Sequence, residues 1–192
     1  MKFTHHLIGA LAGVLTVPCC LAPALAGGLS SIVSAPAARL MSDKLDDQIK
    51  TVFDVKSYTL QAMDVPQGVT GPLSIRVRLG KQMVDVALAP YSMRSDDFSV
   101  LVDDGSGRLT RVDAPPLSTM RGDVLQDPNS RVRAAIVRGG LTAWIDLGDE
   151  SGWSIQQVAS EIPGVDPRLH VVYRNLDIAP PPGFRCGVDA NA

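Results

Sequence analysis

Apolar positions recur with two different periods along this chain. Leu40, Met41, Leu45, Ile49, Val52 and Phe53 return at helical spacing with Asp43, Lys44, Asp46, Asp47 and Lys50 between them. That pattern predicts one short amphipathic helix over Ser42 to Val52. Ser42 is placed to cap it, and Asp43 suits the first turn, where backbone N–H groups favour negative charge. From Tyr58 onward the period falls to two. Leu73, Ile75, Val77 and Leu79 alternate with Ser74, Arg76 and Arg78, which describes a strand with one wet face. Gly80-Lys81 turns the chain, and Val84, Val86 and Leu88 alternate again on the way back. Phe98, Val100 and Val102 predict a further strand, closed by the turn-rich Asp103 to Gly107.

Met120 to Leu125 also reads as a strand, and two longer runs, Arg131 to Val137 and Leu141 to Leu147, flank Gly139-Gly140 as a hairpin. Trp153 to Val158 and Leu169 to Arg174 add two more strands. Seven or more short strands separated by regular turns predict a mainly β domain: an antiparallel sandwich or curled sheet, with one short N-terminal helix and an extended C-terminal tail. The expected organisation is a signal peptide over 1–26, a flexible leader and the helix over 27–56, a β-rich domain over 57–174 and a Pro-rich tail over 175–192.

The first segment carries its own signature. Lys2 is followed by the apolar run Leu7 to Val17, and Ala24-Leu25-Ala26 supplies a small-x-small cleavage pattern. Pro18 and Pro23 interrupt the run, which favours cleavage over a membrane anchor. The expected product is secreted or periplasmic, with no membrane association after cleavage. Cleavage also removes Cys19, Cys20, His5 and His6, leaving Cys186 as the one thiol and His170 as the one imidazole. An unpaired cysteine in an exported chain points to intermolecular pairing or to a free thiol with a role. Pro180-Pro181-Pro182-Gly183 before it and Asp189-Ala190-Asn191 after it offer nothing to build a core around it.

Composition narrows the chemistry. The chain carries 18 basic and 20 acidic residues with no basic stripe, so nucleic-acid binding is not expected. Neither G-x-S-x-G nor H-E-x-x-H occurs, and His170 sits within an apolar run, as a structural strand residue does. Cys186 and His170 cannot by themselves supply a zinc ligand set, so no cofactor of its own is expected. The Arg121-Gly122-Asp123 tripeptide falls inside a predicted strand, which argues against an adhesion loop. Trp144 and Trp153 are expected as core aromatics facing each other across a hairpin.

Cys186 remains. A thiolate is a soft zinc ligand, and a catalytic zinc keeps one position open for water or substrate. A cysteine delivered into that position displaces the water whose activation drives hydrolysis. The prolines keep its approach extended and reduce the ordering entropy of laying it in a cleft. Arg185 favours the thiolate and suits a carboxylate on the enzyme, while Gly187 lets the backbone come close to a wall.

Cys186-Gly187-Val188 resembles the cysteine switch of metalloprotease propeptides. Phe184 to Asp189 is superficially close to the matrix metalloprotease version, whose prodomain is helical. Gly122-x-Val124, Pro128-x-Ser130-x-Val132, Gly139-Gly140-Leu141, Ile145 and His170 to Arg174 are instead similar to the β-rich propeptide of the reprolysin or adamalysin family, which includes the ADAM proteases. These features span about Ser57 to Val188. The resemblance implies a zymogen prodomain that chaperones and inhibits a zinc endopeptidase, with Cys186 bound to the partner's zinc and Arg185, Gly187 and Val188 flanking it. The peptidase itself is absent from these 192 residues, so the implied partner is a catalytic domain in cis on a longer product or one in trans. Phe184-Arg185 departs from the basic-apolar pair more common before that cysteine, and no polybasic release site is present. The competing expectation is a secreted, non-enzymatic β module for adhesion or interaction, whose cysteine is incidental or disulfide-bonded to another chain.

Overall fold

The computed structural model describes residues 30–148 and 152–179. The chain begins there with β1 (Ser30–Val33) and β2 (Ala35–Pro36), followed by α1 (Asp43–Val52) and β3 (Thr59–Ala62). The hairpin of β4 (Leu73–Leu79) and β5 (Gln82–Pro90) comes next, then a separate ribbon of β6 (Val100–Asp103) and β7 (Leu109–Val112). β8 (Thr119–Val124), β9 (Asp127–Val137), β10 (Gly140–Asp146), β11 (Trp153–Gln157) and β12 (Leu169–Arg174) complete the order. Ten of these strands form one sheet, β1-β4-β5-β8-β9-β10-β11-β12-β3-β2, which curls until it is nearly closed. All its pairings are antiparallel except β1 against β4. Of the two expected arrangements, the curled sheet is the one found.

One continuous segment supplies both edges of that sheet. Ser30 to Val33 pair with Leu73 to Arg76 of β4, and two residues later Ala35 and Pro36 pair with Ala62 and Gln61 of β3. Ser34 lies between them, buried, donating its N–H to the Arg76 carbonyl at 2.9 Å, while Ala37 N–H reaches the Leu60 carbonyl at 3.0 Å. A flexible leader was the expectation here, and from Ser30 onward it is wrong. Ile32 drops into the core, and the backbone partners lie on strands too distant in sequence for local composition to reveal.

Beyond the end of β1, a side chain does the joining. The Gln61 amide on β3 donates Nε2–H to the Arg78 carbonyl at 2.8 Å, and its Oε1 accepts the Arg78 N–H at 3.1 Å. Gln61 therefore presents a peptide-like donor and acceptor to β4, extending the seam by one more rung. It is buried, and a second donor hydrogen goes to Thr59 Oγ1 at 3.1 Å.

Alternation divides the apolar residues between two cores. Leu73, Ile75, Val77, Val86, Leu88, Ile145, Ile155 and Val172 point inward and fill the curled sheet. On the outside, α1 lays Ile49 and Phe53 against Leu60, Leu169, Val171 and Tyr173, so β12 is buried on both faces. The helix matches its expected limits to within a residue. Ser42 Oγ accepts Leu45 N–H at 3.2 Å as the N-cap, and Lys50 pairs with Asp46 at 2.6 Å one turn away. Complete burial of a side chain the size of Ile49 contributes about 1.5–3 kcal/mol, more than the capping bond.

Turns needed two adjustments. The hairpin between β9 and β10 is formed by Arg138 and Gly139, both at positive φ (51° and 77°), with Gly140 already paired to Val137. The left-handed pair is what a tight hairpin of this hand requires, and only its second residue is glycine. The strand expected from Phe98 starts at Val100 and pairs with β7 rather than with the main sheet. Asp103 and Asp104 close that ribbon as the turn-rich sequence implied, each carboxylate accepting backbone N–H groups two residues on.

Candidate functional site

Cys186, Arg185, Gly187 and Val188, the residues singled out by sequence, lie outside the described residues. The structure does define the root of the segment that carries them. After β12 the chain makes a short 3-10 turn over Asn175–Asp177, and Ile178 forms a bridge with Val55. Lys56 N–H donates to the Asp177 carbonyl at 2.8 Å, Ala179 N–H to the Asp54 carbonyl at 2.6 Å, and Ser57 Oγ–H to Asp177 Oδ2 at 3.0 Å. Asp54 follows the helix at positive φ (52°), the left-handed exit common after a helix, and so presents its carbonyl to the returning chain. The extended tail expected from Asn175 is therefore docked on the domain as far as Ala179, because these backbone groups find partners in the segment after α1.

Asn175 ties the same root to the outer face of the sheet. Its N–H donates to the Gly152 carbonyl at 2.8 Å, and its Oδ1 accepts Ser154 Oγ–H at 2.7 Å. Gly152 is constrained by its neighbours: a methyl group there would collide with Asn175 Nδ2 and approach Trp144 Nε1 at 3.4 Å. The Trp144 ring thus lies beside the base of the tail.

His170 is fully buried, and both ring nitrogens are engaged by backbone. Leu141 N–H donates to Nε2 at 3.2 Å, which makes Nδ1 the protonated nitrogen, 2.7 Å from the Arg168 carbonyl. Burial holds its pKa below the ordinary imidazole value, partly opposed by that carbonyl. It is a neutral framework residue, as expected for its place in an apolar run. Nearby Gly140 has no room for a side chain, since a Cβ would run into the Gln157 amide. Among the described residues no group of three or more His, Cys, Asp or Glu side chains converges.

Several residues behind the family resemblance meet in this framework. Gly122 sits at a register irregularity between β8 and β9, where a Cβ would overlap the Ala87 carbonyl of β5. Ser130 Oγ accepts Val124 N–H at 2.7 Å and donates to the Asp127 carbonyl at 2.6 Å, closing the β8–β9 turn from inside. Gly122, Val124 and Ser130 form one bulged corner; Leu141 and His170 form a second contact. Arg121, Gly122 and Asp123 belong to β8, as the alternation had implied.

The tryptophans do not face each other. Trp144 is opposite Ser154 and Trp153 is opposite Ile145, so the two rings lie on opposite faces of the sheet. Trp153 packs toward the inner core near Gly80, and Trp144 faces outward. The inward direction of Trp153 follows from its pairing with Ile145, a register that residue spacing alone does not reveal.

That outward Trp144 completes a row not anticipated from sequence. Register places Arg121 of β8 directly opposite Arg133 of β9, and Arg133 opposite Trp144 of β10. The Arg133 guanidinium lies 5.2 Å from the Trp144 ring centroid, and that of Arg121 lies 3.6 Å from the Tyr91 ring. Tyr91 is fixed by two bonds to Thr119: its N–H donates to the Thr119 carbonyl at 2.9 Å, and its carbonyl accepts Thr119 Oγ1–H at 2.6 Å. Each cation is thereby held against an aromatic face. Arg121, Gly122, Asp123, Arg131, Val132 and Arg133 line a shallow depression of about 480 Å3.

No protein-family model matches this chain, and no curated protein matches it.

Proposed function

We propose that this protein is an exported, non-catalytic, propeptide-like inhibitor and chaperone of a zinc metallopeptidase of the reprolysin type, in which the Cys186 thiolate occupies the open position of the partner's catalytic zinc. The observation that carries this reading is the clamp at the tail's root. Asp177, Ile178 and Ala179 are tied to Asp54, Val55, Lys56 and Ser57, so the last seven residues up to Cys186 depart from a fixed point. Seven residues reach at most about 25 Å, which spans a peptidase cleft but little more. A short leash from a rigid origin raises the effective concentration of the thiol at any metal bound alongside the domain. Arg185 beside Cys186 favours the thiolate, and Gly187 and Val188 follow it into the cleft.

The test adds the chain without residues 1–26 to a reprolysin-type catalytic domain and compares it with Cys186→Ala. Inhibition by the native chain and its loss in the variant support the reading; equal inhibition by both defeats it.

A second reading, an exported adhesion or interaction module with an incidental or intermolecularly disulfide-bonded cysteine, is favoured by the β6–β7 ribbon. It exposes Leu101, Val102 and Leu109 outside either core. Electrophoresis of secreted material without reductant separates the two, since a covalent dimer lost in Cys186→Ala supports the module.

A further inference from the structure

We infer that the Arg121–Arg133–Trp144 row is a docking surface for a carboxylate-bearing patch on a partner protein. Cross-strand neighbours of like charge are destabilising, yet the register puts two guanidiniums opposite each other on the solvent face. Among the described residues no carboxylate forms an ion pair with either one. Elsewhere on the same sheet the opposite solution is used: Arg76 faces Asp85 across the β4–β5 pair and binds it at 2.7 Å. At Arg121 and Arg133 the compensating anion is left to come from outside.

Tyr91 and Trp144 bracket the two cations and hold their planes, so little side-chain entropy remains to be lost on binding. Arg, Tyr and Trp are the residues that dominate binding energy in protein interfaces. The row is also short. One step along the sheet, Asp123 and Asp146, the latter in register with Arg131, interrupt the positive charge. A sulfated polysaccharide or nucleic acid needs a longer stripe, whereas one or two carboxylates fit between these guanidiniums, which offer paired donors to each.

Trp144, at one end of the row, and Asn175, at the base of the tail, both lie beside Gly152. The root of the tail therefore lies beside one end of the row. That the partner is one and the same metallopeptidase rests on the function proposed above; the carboxylate chemistry does not.

Four forms of the chain without residues 1–26 test the inference: native, Arg121→Gln/Arg133→Gln, Arg121→Lys/Arg133→Lys, and Cys186→Ala. The probes are fluorescein-labelled deca-glutamate, heparin and a reprolysin-type catalytic domain. The glutamine pair is expected to lose roughly thirtyfold or more in affinity for deca-glutamate and for the peptidase, the scale of one interface hot spot. Its thermal midpoint stays at or above the native value, because a repulsion has been removed. The lysine pair, which keeps charge without the planar fork, falls between, and Cys186→Ala binds deca-glutamate as the native chain does. Deca-glutamate binding that is absent from the native chain, or unchanged in the glutamine pair, overturns the inference. So does an Arg-dependent preference for heparin over deca-glutamate. Arg-dependent binding of deca-glutamate without any engagement of the peptidase supports the surface and counts against the proposed function.

Discussion

Gln61→Leu isolates the contribution of the seam. Leucine matches glutamine in size, so no cavity opens, but the Arg78 N–H and carbonyl both lose their partner. A buried polar group left without a hydrogen bond costs about 1–3 kcal/mol, so two cost about 2–6 kcal/mol. Burying the leucine side chain returns about 1–2 kcal/mol. The net loss is roughly 0–5 kcal/mol, which in a domain of this size lowers the thermal midpoint by up to roughly 20 °C. Urea denaturation measures the total, and hydrogen exchange at the Arg78 amide localises it. Protection there should fall in Gln61→Leu while amides in the β9–β10 hairpin keep theirs. A variant with native stability and native protection at Arg78 would refute the idea that a side chain closes this part of the sheet.

Arg138→Gly relieves the left-handed strain of a non-glycine residue at φ 51° and should raise the urea midpoint by about 1 kcal/mol of stability. Gly122→Ala forces a methyl group onto the Ala87 carbonyl and should cost more than about 2 kcal/mol, read as a lower thermal midpoint or lost secretion. His170 gives a pH signature. Its folded pKa lies below the unfolded value of about 6.5, so the unfolded state takes up a proton first as pH falls. Stability is then undiminished above about pH 6.5 and declines below it until the folded pKa is reached, by at most about 1.4 kcal/mol per pH unit. His170→Gln should flatten that slope in denaturation series between pH 7 and pH 5. The Arg168 guanidinium holds Asp166 down to about 2, so its contribution is complete above the ordinary aspartate range and fades only between there and about pH 2, a separate window.

Elements whose partners are close in sequence were legible. The α1 cap and the β4–β5 hairpin follow from spacing, because a local period determines which side chains meet the core. The Ser30–Pro36 segment was not legible. Its small and proline-rich composition resembles a linker, and only the distant strands β3 and β4 make it a strand. The β6–β7 ribbon shows the converse: its alternation is real, but neither face is buried, so the pattern named a strand without naming its place. The cationic row was hidden for a different reason. Arg121 and Arg133 become neighbours only through the turn after β8 and the irregularity at Gly122, and Trp144 joins them only through the register of β9 against β10. The root of the tail was likewise invisible, since its clamp is made by backbone groups of Asp54, Lys56, Asp177 and Ala179, which carry no side-chain signature. Cys186, the candidate its neighbours single out, lies outside the described residues.

The Ser30–Pro36 segment has a consequence for how copies of this protein behave together. It shields two hydrogen-bonding rims at once, so detaching it uncovers both ends of the curled sheet in the same event. Each molecule would then offer a docking slot and carry the loose peptide that fits the slot of its neighbour. Such an exchange does not stop at a pair, because every insertion leaves another vacancy and another free arm, and the product is a chain of swapped subunits. Seven residues, Ser30 to Pro36, therefore separate a self-contained fold from a polymer of exchanged ones.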